Sequence, residues 1–176
     1  MKVLAYLIFF LIISFNCIGQ GQDIETWSTT EKSYYNTLKG LAQYINDNPS
    51  NISKDTLYNK YIYFDNVLND TVLKRKNERI QKFDDLFQSI PKTIDSIGLE
   101  NLGAKPLRLY PDSKWSPYFT KHRQESIKNI FVYFNKNNPD DLLGLLLLEP
   151  ETYKLAAWIY LTQGETSGFF LTFNLL

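Results

Sequence analysis

The imidazole of His122 is the only histidine in this 176-residue sequence, and so the only side chain that titrates near neutrality without a perturbing environment. It stands in Trp115-Ser116-Pro117-Tyr118-Phe119-Thr120-Lys121-His122-Arg123, a few residues after Asp112. A histidine and an aspartate at the mouth of a pocket make a general acid–base pair, so a small hydrolase or isomerase using His122 and Asp112 is one reading of the chain. The same stretch also reads as a surface helix of mixed charge. The acid pairs Asp84-Asp85, Asp140-Asp141 and Glu149 with Glu151 invite a glycosidase reading, which needs two carboxylates about 5–10 Å apart across a cleft. Adjacent residues on a helix diverge, which counts against Asp84-Asp85. Asp140-Asp141 suits a turn or a helix start, and Glu149-Pro150-Glu151 suits a hairpin turn. One histidine and one cysteine cannot build the usual zinc sets, and no calcium-loop spacing is present. Glycine-rich phosphate loops and the Gly-x-Ser-x-Gly elbow are missing too, so neither a metal nor a cofactor is expected.

A second constellation is aromatic. Phe, Tyr and Trp make 15% of the chain, against roughly 8–9% in an ordinary composition. Phe131, Tyr133, Trp158, Tyr160 and Phe170 fall on one parity of the C-terminal alternating segments, with Trp115 placed to act as a lid. Such a wall serves either as a second core layer beneath the Tyr110–Arg123 segment or as the lining of a site for a small apolar ligand or a partner protein. Tyr and Trp offer an apolar body with a polar tip, which suits both roles.

The elements that must position these residues change character near Gly98–Lys105. Before it, apolar residues recur at helical spacing. Ser28 and Glu31 form a Ser-x-x-Glu capping box, and Tyr34, Leu38, Leu41 and Ile45 then mark one face of a helix that Asn46-Asp47-Asn48-Pro49 stops. A second helix begins at Ser53 with Leu57, Tyr61, Phe64 and Leu68 inward, although Tyr61–Phe64 also has strand propensity. A third carries Leu73, Ile80, Phe83, Phe87 and Ile90 to Pro91, which is expected to end or kink it. Ile94 and Ile97 add a further short turn.

After Gly103 the pattern is alternation. Lys105–Tyr110 is a candidate edge strand, where Pro106 is tolerated. Strands follow at Asn129–Asn135, Tyr153–Thr162 and Phe169–Leu175. Leu142–Leu148, apolar on all sides, opens like a helix at Asn138-Pro139-Asp140-Asp141 but has the length of its strand neighbours, and a strand is favoured. Ile130, Val132, Phe134, Ala157 and Ile159 then form the main apolar face. The expected fold class is α+β: N-terminal amphipathic helices packed on a C-terminal antiparallel β-meander. In element order alone this resembles the cone-shaped NTF2-like fold, an analogy that carries no function.

Residues 1–19 have the grammar of a secretory signal peptide: Met1-Lys2, the apolar run Val3–Phe15, and Cys17 and Gly19 at the −3 and −1 positions. The run is shorter than the ~20 residues a spanning helix needs. Residues 20–28 are expected to be a flexible lead-in and 29–176 one α+β domain. Ser14-Phe15-Asn16 is a poor lipoprotein triplet, so membrane attachment enters only if Cys17 is lipidated. A cysteine-free exported domain suits a bacterial periplasmic or extracellular setting. A formal net charge of 0 argues against a nucleic-acid partner. The favoured function is an exported, non-catalytic binding or interaction domain. The alternatives are the hydrolase or isomerase above and a structural envelope component.

Overall fold

The computed structural model describes residues 24–63, 76–110, 128–160 and 169–172. Among them, helices come first and strands after. Helix α1 spans Thr29–Asp47, α2 Lys54–Lys60 and α3 Lys76–Ile97. The strands are β1 Leu102–Pro106, β2 Ile130–Asn135, β3 Asn138–Leu148, β4 Leu155–Tyr160 and β5 Phe169–Thr172. They form a five-stranded antiparallel sheet in sequence order, a meander. The α+β expectation is met.

Local chemistry explains the helix starts. Ser28 Oγ accepts from the Glu31 N–H at 3.1 Å, and Glu31 Oε2 accepts from the Ser28 N–H at 2.8 Å. That closes the capping box, satisfying two of the orphan amides of the first turn. Ser53 caps α2 on Thr56 N–H at 3.3 Å. Helix α2 is shorter than its stripe suggests. It stops before Tyr61, and Ile62 makes a single parallel bridge to Leu155; Phe64 and Leu68 of the expected stripe lie outside the described residues.

Four further expectations are corrected. Pro91 does not end its helix: α3 runs through it to Ile97. Its missing N–H removes one ladder bond, but Phe87, Ile90 and Ile94 on either side are buried in the core and hold the helix in place. The lead-in is not wholly free. Its described part forms a 3-10 turn at Ile24–Thr26, and Trp27 enters the core edge-on to Phe131 at 5.9 Å. The edge strand lies earlier, at Leu102–Pro106, and Leu107–Leu109 coils into a 3-10 turn. The strand favoured for Leu142–Leu148 is present and begins earlier, at Asn138-Pro139-Asp140-Asp141.

The fourth correction concerns which sheet face the helices cover. Ile130 to Phe134 is buried on both faces. Phe131, Tyr133, Leu146 and Trp158 pack with Tyr34, Leu38 and Leu41 of α1 and Phe83, Leu86 and Ile90 of α3. Ile130, Val132, Phe134 and Leu145 form a separate cluster on the opposite face, with Leu107 and Tyr110. The helices therefore lie on the aromatic face, and the expected main apolar face is the other one. Both faces of β2 are apolar, so alternation alone does not choose between them, and the helices settle on the side that carries Phe131, Tyr133 and Trp158.

Candidate functional site

Three residues of the expected wall come together. Phe131, Tyr133 and Trp158 are fully or nearly fully buried on the helix side of the sheet. Tyr34 meets Phe131 edge-on at 5.9 Å, and the Tyr133 and Trp158 rings lie 5.5 Å apart. The Tyr133 hydroxyl donates to the Leu38 carbonyl of α1 at 2.5 Å. Burial holds that hydroxyl protonated far above the ordinary tyrosine range. Tyr160 pairs with Phe169 in the β4–β5 ladder. Phe170, however, pairs with Ile159, while Trp158 pairs with Leu171, so the register does not set Phe170 alongside Trp158. Trp115, and the His122–Asp112 pair of the catalytic alternative, lie outside the described residues, as does Cys17.

Two features of the sheet make room for the Trp158 ring. The β2–β3 ladder shifts register between Tyr133, opposite Gly144, and Phe134, opposite Leu142, leaving Leu143 as the extra residue of a bulge. Leu143 thereby joins the helix-side cluster while Leu142 packs on the other face. Gly144 then leaves room for the indole: a Cβ there would collide with Trp158 Nε1 and sit 2.8 Å from Cε2. Gly103 is covered in the same way by Phe134, whose Cζ would be 2.5 Å from an added Cβ. In both places an aromatic ring from a neighbouring strand shields a glycine backbone.

Between the sheet and the two long helices is a cavity of about 70 Å³. Ala42 and Ile45 of α1, Leu86, Ser89, Ile90, Thr93 and Ile94 of α3, and Leu102, Tyr133, Leu143 and Trp158 of the sheet line it. None of these carries a charge. Ser89 is exposed and Thr93 half-buried, which puts the mouth along α3. The sequence pointed to Tyr133 and Trp158. It missed the helical lining, because the small residues Ala42, Ser89 and Thr93 read as breaks in an apolar stripe rather than as the space they leave.

The polar residues elsewhere have structural tasks. Asp84 pairs with Lys54 at 2.6 Å, and Asp85 accepts from Gln81 at 2.8 Å. Glu149 accepts from the Glu151 and Thr152 N–H groups at 2.9 and 2.5 Å and closes the β3–β4 turn. Burial raises its pKa, but the bonds from Thr152 and Glu151 outweigh that and the net shift is downward. Glu31, the one buried acid among the described residues, takes a two-pronged bond from Arg108, Nε to Oε1 at 2.7 Å and an NH2 to Oε2 at 2.8 Å. That guanidinium, followed by burial acting in the opposite sense and the Ser28 bonds, leaves its carboxyl below the usual range. The described residues hold no group of three or more His, Cys, Asp or Glu arranged for a metal. None of their helices is long and apolar enough to cross a membrane.

No family model, characterised protein or solved structure matches the chain. The NTF2-like comparison therefore stays one of element order.

Proposed function

We propose that the protein is an exported, non-catalytic binding domain whose ligand is a small uncharged molecule held between the helices and the aromatic face of the sheet. The cavity carries this reading: it is apolar, free of charged lining, and open toward α3. Its volume of about 70 Å³ is several times the ~10–15 Å³ that admits one water, and about half of the ~150 Å³ that holds benzene. It fits a short branched alkyl group rather than an aromatic ring. The signal-peptide grammar of residues 1–19 supports export, and an intact mass for the secreted chain starting at Gln20 is the expected result.

Xenon tests the cavity directly, since it enters apolar space without needing a hydrogen bond. Under xenon pressure the methyl resonances of Leu86, Ile90 and Leu143 in the full chain should shift saturably, and those of Leu107 and Leu145 on the opposite face should not. The variant Ala42→Leu, which projects into the same space, should abolish the shifts while raising the thermal midpoint. Unmoved cavity methyls in the wild type would overturn the reading.

A further inference from the structure

The cavity opens toward α3, but only narrowly. Ala42, Ile45, Leu86 and Ile94 line it, yet each is at most 4% exposed to water. An alkyl group is wider than a water molecule, so a ligand enters only when one wall moves. Most of the walls are tied down. The sheet wall is held by the β2–β3 and β3–β4 ladders. Helix α1 is fixed to the sheet by the Tyr133 hydroxyl, which donates to the Leu38 carbonyl at 2.5 Å, and at its start by Arg108 on Glu31. The first half of α3 is pinned by the buried Phe83, Leu86 and Phe87 and by the Lys54–Asp84 pair.

The last part of α3 is built differently. Pro91 stands inside the helix and brings no N–H to the ladder, so one bond that would couple the two halves is missing. Gly98 follows the helix with φ +81°, a conformation that residues with a side chain rarely adopt. Pro91–Ile97 therefore lies between two backbone pivots. The hydroxyls of Ser89, Thr93 and Ser96 each bond back to a carbonyl of the preceding turn, a pattern that softens and bends helices. Thr93 and Ile94 of this segment line the cavity, while Lys92, Asp95 and Ser96 face solvent. Moving the segment uncovers the cavity and breaks no strand pairing.

Resting on the cavity reading above, we propose that Pro91–Ile97 is a lid. It swings about Pro91 and Gly98, lifts Thr93 and Ile94 out of the cavity wall, and admits the ligand. The ligand is held under the closed lid, so occupancy keeps the lid shut.

Amide hydrogen exchange of the full chain, followed by NMR with and without xenon, tests this. The amides of Lys92–Ile97 should exchange through a local opening, ahead of those of Phe83–Phe87. Xenon held under a closed lid should slow them about tenfold when it stands at about ten times its Kd. The amides of α2, which lines no part of the cavity, should keep their rates. Plain fraying of a helix end gives no such response to xenon. In Pro91→Ala the added N–H favours the closed lid, so xenon NMR exchange spectroscopy should show xenon leaving about fivefold more slowly, the worth of one ordinary hydrogen bond, with the same methyl resonances shifted. Lid amides indifferent to xenon, or a folded Pro91→Ala chain that releases xenon at the wild-type rate, would overturn the lid and leave the cavity reading intact. The exchange measurement on the wild type decides the matter if the variant misfolds. Absence of any xenon-induced methyl shift removes the cavity reading, and the lid with it.

Discussion

Replacing Glu31 by glutamine probes how the first helix is tied to the sheet. The glutamine keeps the shape and one acceptor oxygen for the Ser28 N–H, but it loses the charge and presents an NH2 group to Arg108. Two charge-assisted bonds at 2.7 and 2.8 Å are weakened together. Each such bond contributes about 1.5–3 kcal/mol when well shielded. The Arg108 side chain, however, is 42% exposed while that of Glu31 is only 5% exposed, so solvent screens much of the attraction. A loss of roughly 2 kcal/mol at neutral pH follows, or about 4–8 °C in thermal midpoint for a domain of this size.

The pH dependence separates this account from a simple packing defect. The folded-state pKa of Glu31 lies below its ordinary 4.5, chiefly because of Arg108. A depressed carboxyl contributes stability that is present above the unfolded pKa and is lost as pH falls through the folded one. The gap between wild type and Glu31→Gln should therefore be full at pH 6–7 and close steadily below about pH 4.5. Urea denaturation followed by far-UV circular dichroism across that range measures it. A gap that persists unchanged in acid, or one under about 0.5 kcal/mol at neutrality, refutes the argument.

Gly144→Ala should destabilise the fold by about 1–3 kcal/mol and change the tryptophan emission, because the new methyl meets the Trp158 indole rather than open space; urea denaturation and fluorescence read both. The Tyr110 hydroxyl donates to the Pro139 carbonyl, and its pKa is pushed up to about 12, first by burial and then by Asp140 and Asp141. A raised tyrosine stabilises below the ordinary pKa of 10 and loses that contribution as pH rises through the folded value. Near-UV absorbance titration should therefore show late-ionising tyrosines, Tyr133 later still than Tyr110, and Tyr110→Phe should remove the step near 12 while leaving the others.

Several elements were legible because their signals are local. The Ser28–Glu31 box, the Tyr34–Ile45 stripe and the Ser53 cap depend on residues within a few positions of one another, and backbone geometry fixes the outcome wherever the helix ends up. The Leu142–Leu148 strand was readable from length and flanking prolines. The course of α3 through Pro91 was not, because its local cost is offset by Phe87, Ile90 and Ile94 packing in a distant core. Of the expected aromatic wall, Phe131, Tyr133 and Trp158 lie together on the helix side of the sheet, whereas the register pairs Phe170 with Ile159. That pairing depends on how β4 and β5 align, which no single strand encodes.

The sequence by itself determined that helices precede a meander, that the rings share a parity on β2 and β4, and that no metal or phosphate motif is present. Only the tertiary structure decided which side of the sheet the helices cover. On β2 both parities are apolar, from Ile130 through Phe134, so alternation carries no polarity to choose between them. The choice falls to how the layers close, and the side bearing Phe131, Tyr133 and Trp158 packs beneath α1 and α3. The cavity is a product of the same step. It exists where Ala42, Ser89 and Thr93 on two helices face Tyr133, Leu143 and Trp158 on three strands, residues from five elements that become neighbours only when the layers close.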